Sequence, residues 1–241
     1  MKYLITFSYD GSKYNGYQKQ PSKKTVQKEI EDVLTKINSN KSVSISSSGR
    51  TDRLVHALNQ KAHFEMKDMD LEKLKNSINK LLSSSIYVKK IEKVKDDFHA
   101  RFDVKSKVYV YYINIGEYNP IEKDYVYQYN KNLDIEKMKE AIKYFEGMHN
   151  FRAFTKVEEE KDFVRTIFKT NIEKDDDKII ITFEGNGFLR YMVRNMVGLL
   201  IEIGSLKRNS SDVQKIMDSL DRTKAGITAP AEGLYLKDVY Y

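Results

Sequence analysis

Tyr3-Leu4-Ile5-Thr6-Phe7-Ser8-Tyr9 sets Tyr3, Ile5, Phe7 and Tyr9 on one face of an extended chain and Leu4, Thr6 and Ser8 on the other. A two-residue period with aromatic and β-branched residues marks a strand. A turn-rich stretch, Asp10-Gly11-Ser12-Lys13-Tyr14-Asn15-Gly16, follows it. The period then changes. From Thr25, a residue suited to an N-cap, Val26, Ile30, Val33, Leu34 and Ile37 fall on one helical stripe. Val43 and Ile45 mark a short strand that ends in a polar loop over 46–56, and Ala62 and Phe64 belong to another. Asp70 can cap a second helix with Leu71, Leu74, Ile78, Leu81 and Leu82 as its buried side, and strands recur near 86–94 and 107–115. Strand, helix, strand, helix, strand predicts an α+β half built on a largely antiparallel sheet.

The second half repeats this order loosely. Asp134 opens a helix with Met138, Ala141, Ile142 and Phe145 on one side, and strands follow near 163–172 and 178–184. A strongly apolar helix is expected over 188–203, a capped one from Ser210 or Ser211, and a last strand near 234–240. The expected division is an N-terminal half over 1–115, a connecting segment over 116–133 with Gly116, Asn119 and Pro120, and a C-terminal half over 134–241 that completes the cleft.

At 241 residues the chain can bury a substantial core, and 40% hydrophobic with 32% charged residues is a globular composition with a heavily solvated surface. Forty-two Lys and Arg against 35 Asp and Glu give +7, which suits a polyanionic partner and equally an ordinary lysine-rich enzyme. With no cysteine, disulfides, thiolate metal sites and cysteine nucleophiles are excluded. His56, His63, His99 and His149 lack metal-ligand spacing, so no metal is expected. The start, Met1-Lys2-Tyr3-Leu4-Ile5, has no apolar leader, and no apolar run approaches the roughly 18 residues of a membrane span. A cytoplasmic protein is expected.

Three stretches could carry chemistry. Ser46-Ser47-Ser48-Gly49-Arg50-Thr51-Asp52-Arg53-Leu54-Val55-His56 puts a carboxylate among arginines in a loop between strands, where it could meet a substrate. Taken alone, a polar turn with a local Arg–Asp pair is the simpler reading. In the expected helix 188–203, Arg190 and Arg194 sit four apart in an apolar segment. A buried guanidinium needs a carboxylate or a phosphate; an arginine extending from a half-exposed helix explains it as readily. Lys105-Ser106-Lys107-Val108-Tyr109-Val110-Tyr111-Tyr112 interleaves cations with rings, as RNA binding would use, although tyrosines on a strand usually just pack. Phe98-His99-Ala100-Arg101-Phe102 offers the same kind of surface.

Six blocks, in order across nearly the whole chain, resemble the TruA family of tRNA pseudouridine synthases. They are Tyr9-Asp10-Gly11 through Gln18 with Thr25-Val26-Gln27; Gly49-Arg50-Thr51-Asp52 with Val55-His56-Ala57; Phe98 to Phe102; Tyr109; Met192-Val193-Arg194-Asn195-Met196-Val197-Gly198; and Ala231-Glu232-Gly233-Leu234-Tyr235-Leu236. The resemblance implies a pseudouridine synthase fold: two related α+β halves forming a mainly antiparallel mixed sheet flanked by helices, with the active cleft along it. It implies isomerisation of uridine in tRNA, at positions 38–40 of the anticodon arm, by a homodimer that uses no cofactor. Asp52 matches the catalytic aspartate. Tyr109, Arg50, Arg194 and Leu234 match substrate-binding positions: Tyr109 stacks on the target base, Arg50 displaces that base or grips its phosphate, and Arg194 contacts the carboxylate. Arg53, His56, Arg101, Lys105, Lys107 and Arg190 are further expected RNA contacts.

The chain departs from the pattern in two places. Arg53-Leu54 replaces the usual Ala-Gly after the aspartate, and Leu82-Ser83 replaces Leu-Pro. A leucine in place of that glycine is costly if its φ is positive. A relative acting on ribosomal RNA, or an RNA-binding protein without catalysis, remains an alternative.

Overall fold

In the computed structural model, which describes residues 1–156 and 162–241, the opening alternation forms β1 (Lys2–Tyr9). One compact unit comprises Met1–Lys105 together with Tyr235–Tyr241. Its helices are α1 (Val26–Ile37) and α2 (Leu71–Leu81), and its further strands are β2 (Ile45–Ser47), β3 (His56–Glu65) and β4 (Ile86–Lys93). Both helices start where a side chain takes up an orphan amide: Thr25 accepts from Lys28 N at 3.4 Å and Asp70 from Lys73 N at 2.9 Å.

In the sheet of this unit, β1 pairs antiparallel with β3 and β4. The other edge of β3 takes β2, with Ile45 opposite Phe64, and the last strand, β10 (Leu234–Tyr240), which runs parallel with Tyr235 opposite His56. Tyr3, Ile5 and Phe7 are buried, as are Val26, Ile30 and Leu34 of α1 and Leu74 and Ile78 of α2. The expected buried side of α2 is narrower than its leucines suggested. Leu81 is 50% exposed because Asn79, two residues before it, turns inward to bond both the N–H and the carbonyl of Val88 at 2.8 Å.

The second unit is Ser106–Leu234. It holds β5 (Ser106–Asn114), β6 (Tyr127–Gln128), α3 (Ile135–Ile142), β7 (Gly147–Asn150), β8 (Val164–Asp175), β9 (Lys178–Gly185), α4 (Met192–Gly204) and α5 (Asp212–Ser219). Its strands run in the order β5-β9-β8-β7, all antiparallel, and β6 adds a short parallel pairing to β5. Mainly antiparallel, mixed sheet flanked by helices is therefore the architecture of each unit. Asp134 caps α3, accepting from Lys137 N at 3.0 Å.

Two expectations need correction. The apolar run from Phe188 does not start a helix: Tyr191 adopts φ +64°, ψ −3°, a left-handed geometry that cannot continue a right-handed one, so α4 begins at Met192. Arg190 thus lies before the helix and shares no face with Arg194. Ser211 sits at the N-cap of α5 but caps nothing; Asp212 instead reaches back to accept from Asn209 N at 3.0 Å.

Candidate active site

The loop between β2 and β3 is held by its backbone. Ser48 N donates to Lys61 O at 2.8 Å, Tyr17 N to Thr51 O at 3.1 Å, and Val55 N closes a turn onto Asp52 O at 3.2 Å. Buried side chains brace it from below. Tyr9 and Thr51 join hydroxyls at 2.8 Å, and burial pushes the Tyr9 phenol up to about 12, so it stays protonated. Gln60, fully buried in β3, accepts from Ser48 Oγ at 2.6 Å and donates to Gly49 O at 3.0 Å. Asp52 stands half-buried on this scaffold, between exposed Arg50 and exposed Arg53. Arg50 donates to Gln18 Oε1 at 2.7 Å.

Two glycines of the turn after β1 let it lie directly against the loop. A Cβ on Gly11 would come within 2.1 Å of Val55 O. Gly16, at φ +89°, has the Thr51–Arg53 backbone 3.2–3.4 Å from where its Cβ would be. His56 completes the support. It is 2% exposed, its ring stacks on Tyr235 at 4.5 Å, and its Nδ1 accepts from Gly11 N at 3.1 Å. Asp10 Oδ1 lies 3.5 Å from the same nitrogen. His56 lies buried beneath the loop rather than on the surface.

In the second unit, β5 presents Lys107, Tyr109 and Tyr111 on one face by alternation. Tyr109 is half-buried and meets Phe188 edge-on at 5.0 Å. Tyr111 is fully buried and donates its hydroxyl to Pro230 O at 2.7 Å. The neighbouring Ala229 fixes Arg194: Arg194 Nε donates to Ala229 O at 2.7 Å, and Ala229 N donates to Arg194 O at 3.0 Å. Tyr111 and Arg194 are thus joined through the 229–230 backbone, and Tyr109 lies two residues before Tyr111 on the same face of β5. Nε of Arg194 is committed to the backbone. The guanidinium also lies 5.5 Å from the Tyr191 ring, which Arg190 approaches at 4.9 Å. Among the described residues no three His, Asp or Glu side chains gather as a metal site would require.

The sequence pattern of the tRNA pseudouridine synthases matches residues 5–103 and 141–241, which takes in this loop, β10 and α4. The chain belongs to the tRNA pseudouridine synthase family. It is 40% identical over 247 residues to tRNA pseudouridine synthase A of Limosilactobacillus reuteri, covering 100% of this chain and 96% of the relative. It is 41% identical to the Streptococcus mutans protein of the same name, covering 100% and 99%, and 40% identical to that of a Geobacillus strain, covering 98% and 96%.

Against the tRNA pseudouridine synthase pattern, the Arg53-Leu54 departure now has a geometry. Leu54 takes φ +69°, the left-handed conformation that glycine would adopt without strain. Holding a leucine in that conformation costs about 1 kcal/mol. The remaining expected RNA contacts divide by unit. Arg101 and Lys105 are exposed in the first, where Arg101 lies 5.9 Å from the ring of Phe102, itself 74% exposed. In the second, Arg190 is exposed, Lys107 half-buried, and Leu234 buried in the turn that its N–H closes onto Ala231 O at 3.0 Å. Sequence reasoning missed Gln60, Tyr9 and Thr51 as loop supports. The one available signal was an uncharged polar residue on the inward face of a strand, and Gln60 gives it.

Proposed function

We propose that this tRNA pseudouridine synthase acts on uridines 38–40 of the anticodon arm, with Asp52 as its catalytic carboxylate. The isomerisation breaks the N1–C1′ bond of uridine and joins C5 to C1′; C5 loses a proton and N1 gains one, so no atom is added or lost. Asp52 drives the first step, and two routes fit a carboxylate here: attack at C1′ or removal of a ribose proton. Tyr109 holds the flipped base and serves as proton donor or acceptor at C5, and Leu234 is a further substrate-binding position. As the family resemblance implies, Arg194 steadies the catalytic carboxylate, and Arg50 displaces the base or grips its phosphate. Exposed Arg53, Arg101, Lys105 and Arg190 meet the RNA backbone.

The observation that carries this reading is the loop. A half-buried aspartate is held on a turn whose surrounding amides and carbonyls are already engaged, as a preorganised reacting group requires. The relatives about 40% identical over their length carry the name tRNA pseudouridine synthase A, which supports tRNA over ribosomal RNA as the substrate. Family membership also supports a homodimer that binds tRNA across both copies, and work in the cytoplasm; among the described residues no helix is long and apolar enough to cross a membrane.

Asp52→Ala is expected to abolish pseudouridine formation and keep tRNA affinity within a few-fold. Residual turnover would remove Asp52 from its role, and a wild-type protein that makes no pseudouridine in any tRNA would leave only an RNA binder. Pseudouridine mapping of tRNA from cells lacking the protein should show loss at positions 38–40; loss elsewhere refutes the site assignment. Tyr109→Phe separates stacking from proton exchange, because near-normal turnover excludes an essential hydroxyl.

A further inference from the structure

Directly after Arg194 comes Asn195, an amide 0% exposed in the most apolar helix of the chain. A buried amide is tolerated only when its donors and acceptors are met. Here Nδ2 donates to Phe154 O at 2.6 Å, and Oδ1 accepts from Arg222 Nη2 at 2.8 Å and from Thr228 Oγ1 at 2.7 Å. Arg222 in turn donates to Gly226 O at 3.0 Å and to Thr228 Oγ1 at 2.8 Å. The segment 226–229 is also tied to α4 by Ile227 N, which donates to Glu202 Oε1 at 3.1 Å. Gly198 allows the approach, since a Cβ there would lie 2.0 Å from Ile227 O. This is the segment whose Ala229 carbonyl holds Arg194 Nε.

We infer that Asn195 and Arg222 are positioning residues: they clasp residues 226–229 onto α4 and so aim the Arg194 guanidinium for the reaction. The inference rests on the reading of Arg194 given above. Stability alone is a poor account of this clasp. Every hydrogen bond from Arg222 ends on a neutral acceptor, and its Nε is buried with none. Burial lowers the affinity of this guanidinium for its proton, with Glu202 opposing. A half-buried cation served by neutral groups is a costly way to hold a loop and a precise way to orient one, because its planar fork reaches several acceptors at fixed angles.

The test uses the full-length protein and a tRNA transcript carrying uridines at 38–40. Single-turnover rate, tRNA Kd and Tm are measured for Arg222→Lys, Arg194→Lys and the double variant. Arg222→Lys is expected to slow the reaction at least tenfold with Kd within twofold. In the Arg194→Lys background the same change should cost less than twofold. Two results overturn the clasp: a full, multiplicative loss in that background, or a lowered Tm with an unchanged rate. If Arg194→Lys alone keeps the wild-type rate, the reading of Arg194 falls and the clasp with it. If Arg194→Lys is slow while Arg222→Lys is not, only the clasp falls. Should Arg222→Lys fail to fold, Thr228→Val, which removes one hydroxyl at constant shape, carries the same comparison.

Discussion

The loop that bears Asp52 and the helix that bears Arg194 solve the same problem by opposite means. The loop is irregular backbone, and its rigidity comes from amides and carbonyls that find partners in β3, in the turn after β1, and in the buried amide of Gln60. The helix is regular and nearly all apolar, and its rigidity comes from packing plus one polar clasp. Each also keeps a non-glycine residue in the left-handed region, Leu54 in the loop and Tyr191 at the helix entry. The difference teaches where each is vulnerable: the loop through hydrogen bonds, the helix through volume.

Gly198→Ala tests the helix side and has the largest expected effect. The new methyl meets a carbonyl, so despite the better helix propensity of alanine the variant should lose about 2–3 kcal/mol in urea unfolding. A neutral outcome would show that residues 226–229 can shift away. Gln60→Leu tests the loop side. It matches the volume but removes the acceptor of Ser48 Oγ and one of two donors to Gly49 O, the other being Ser47 Oγ, and should cost about 1–2 kcal/mol. It should also slow catalysis more than Gly198→Ala does relative to its stability loss; equal ratios would erase the contrast.

Leu54→Gly sharpens the comparison from the other direction. It removes the left-handed strain at the cost of backbone entropy, so a gain of about 0.5 kcal/mol is expected. A loss would mean that the leucine side chain contributes contacts outweighing its strain.

The smallest effect concerns pH, in the first unit but away from the loop. His63 accepts Ala100 N on Nδ1 at 3.1 Å, and burial, followed by the nearby His99, lowers its pKa. The folded protein therefore binds this proton less readily than the unfolded chain. Stability is full above the unfolded value of about 6.5 and declines as pH falls from there to the lowered folded value. Tm should drop between pH 7 and pH 5, and less so in His63→Asn, whose amide oxygen can accept from Ala100 without titrating. An equal drop in both assigns the effect elsewhere.

Much of this was legible in the sequence because the signals are local. Thr25, Asp70 and Asp134 each announce a helix three residues ahead of the amide they bond, and all three bonds are present. The alternation of β1 and the polar stretch around Asp52 are equally short-range. The first turn expected for α4 failed because Phe188 and Leu189 are apolar for tertiary reasons, and no local rule foretells a left-handed tyrosine. Asn195 with Arg222 and Thr228, or Gln60 with Ser48 and Gly49, were invisible for a related reason. A buried polar network pairs residues that only the fold brings together, so its members look like ordinary polar residues one at a time.

The stacking of Tyr235 on His56 has a consequence for the order of events in synthesis. The floor of the Asp52 loop is completed by a strand that leaves the ribosome about 180 residues after the loop itself. Until then β3 lacks its parallel neighbour, and all of residues 106–234 must be made first. Closing so long a chain segment is entropically slow. The carboxylate therefore gains its final setting late in biogenesis, and a nascent chain long enough to fold the second unit still carries an unfinished loop in the first.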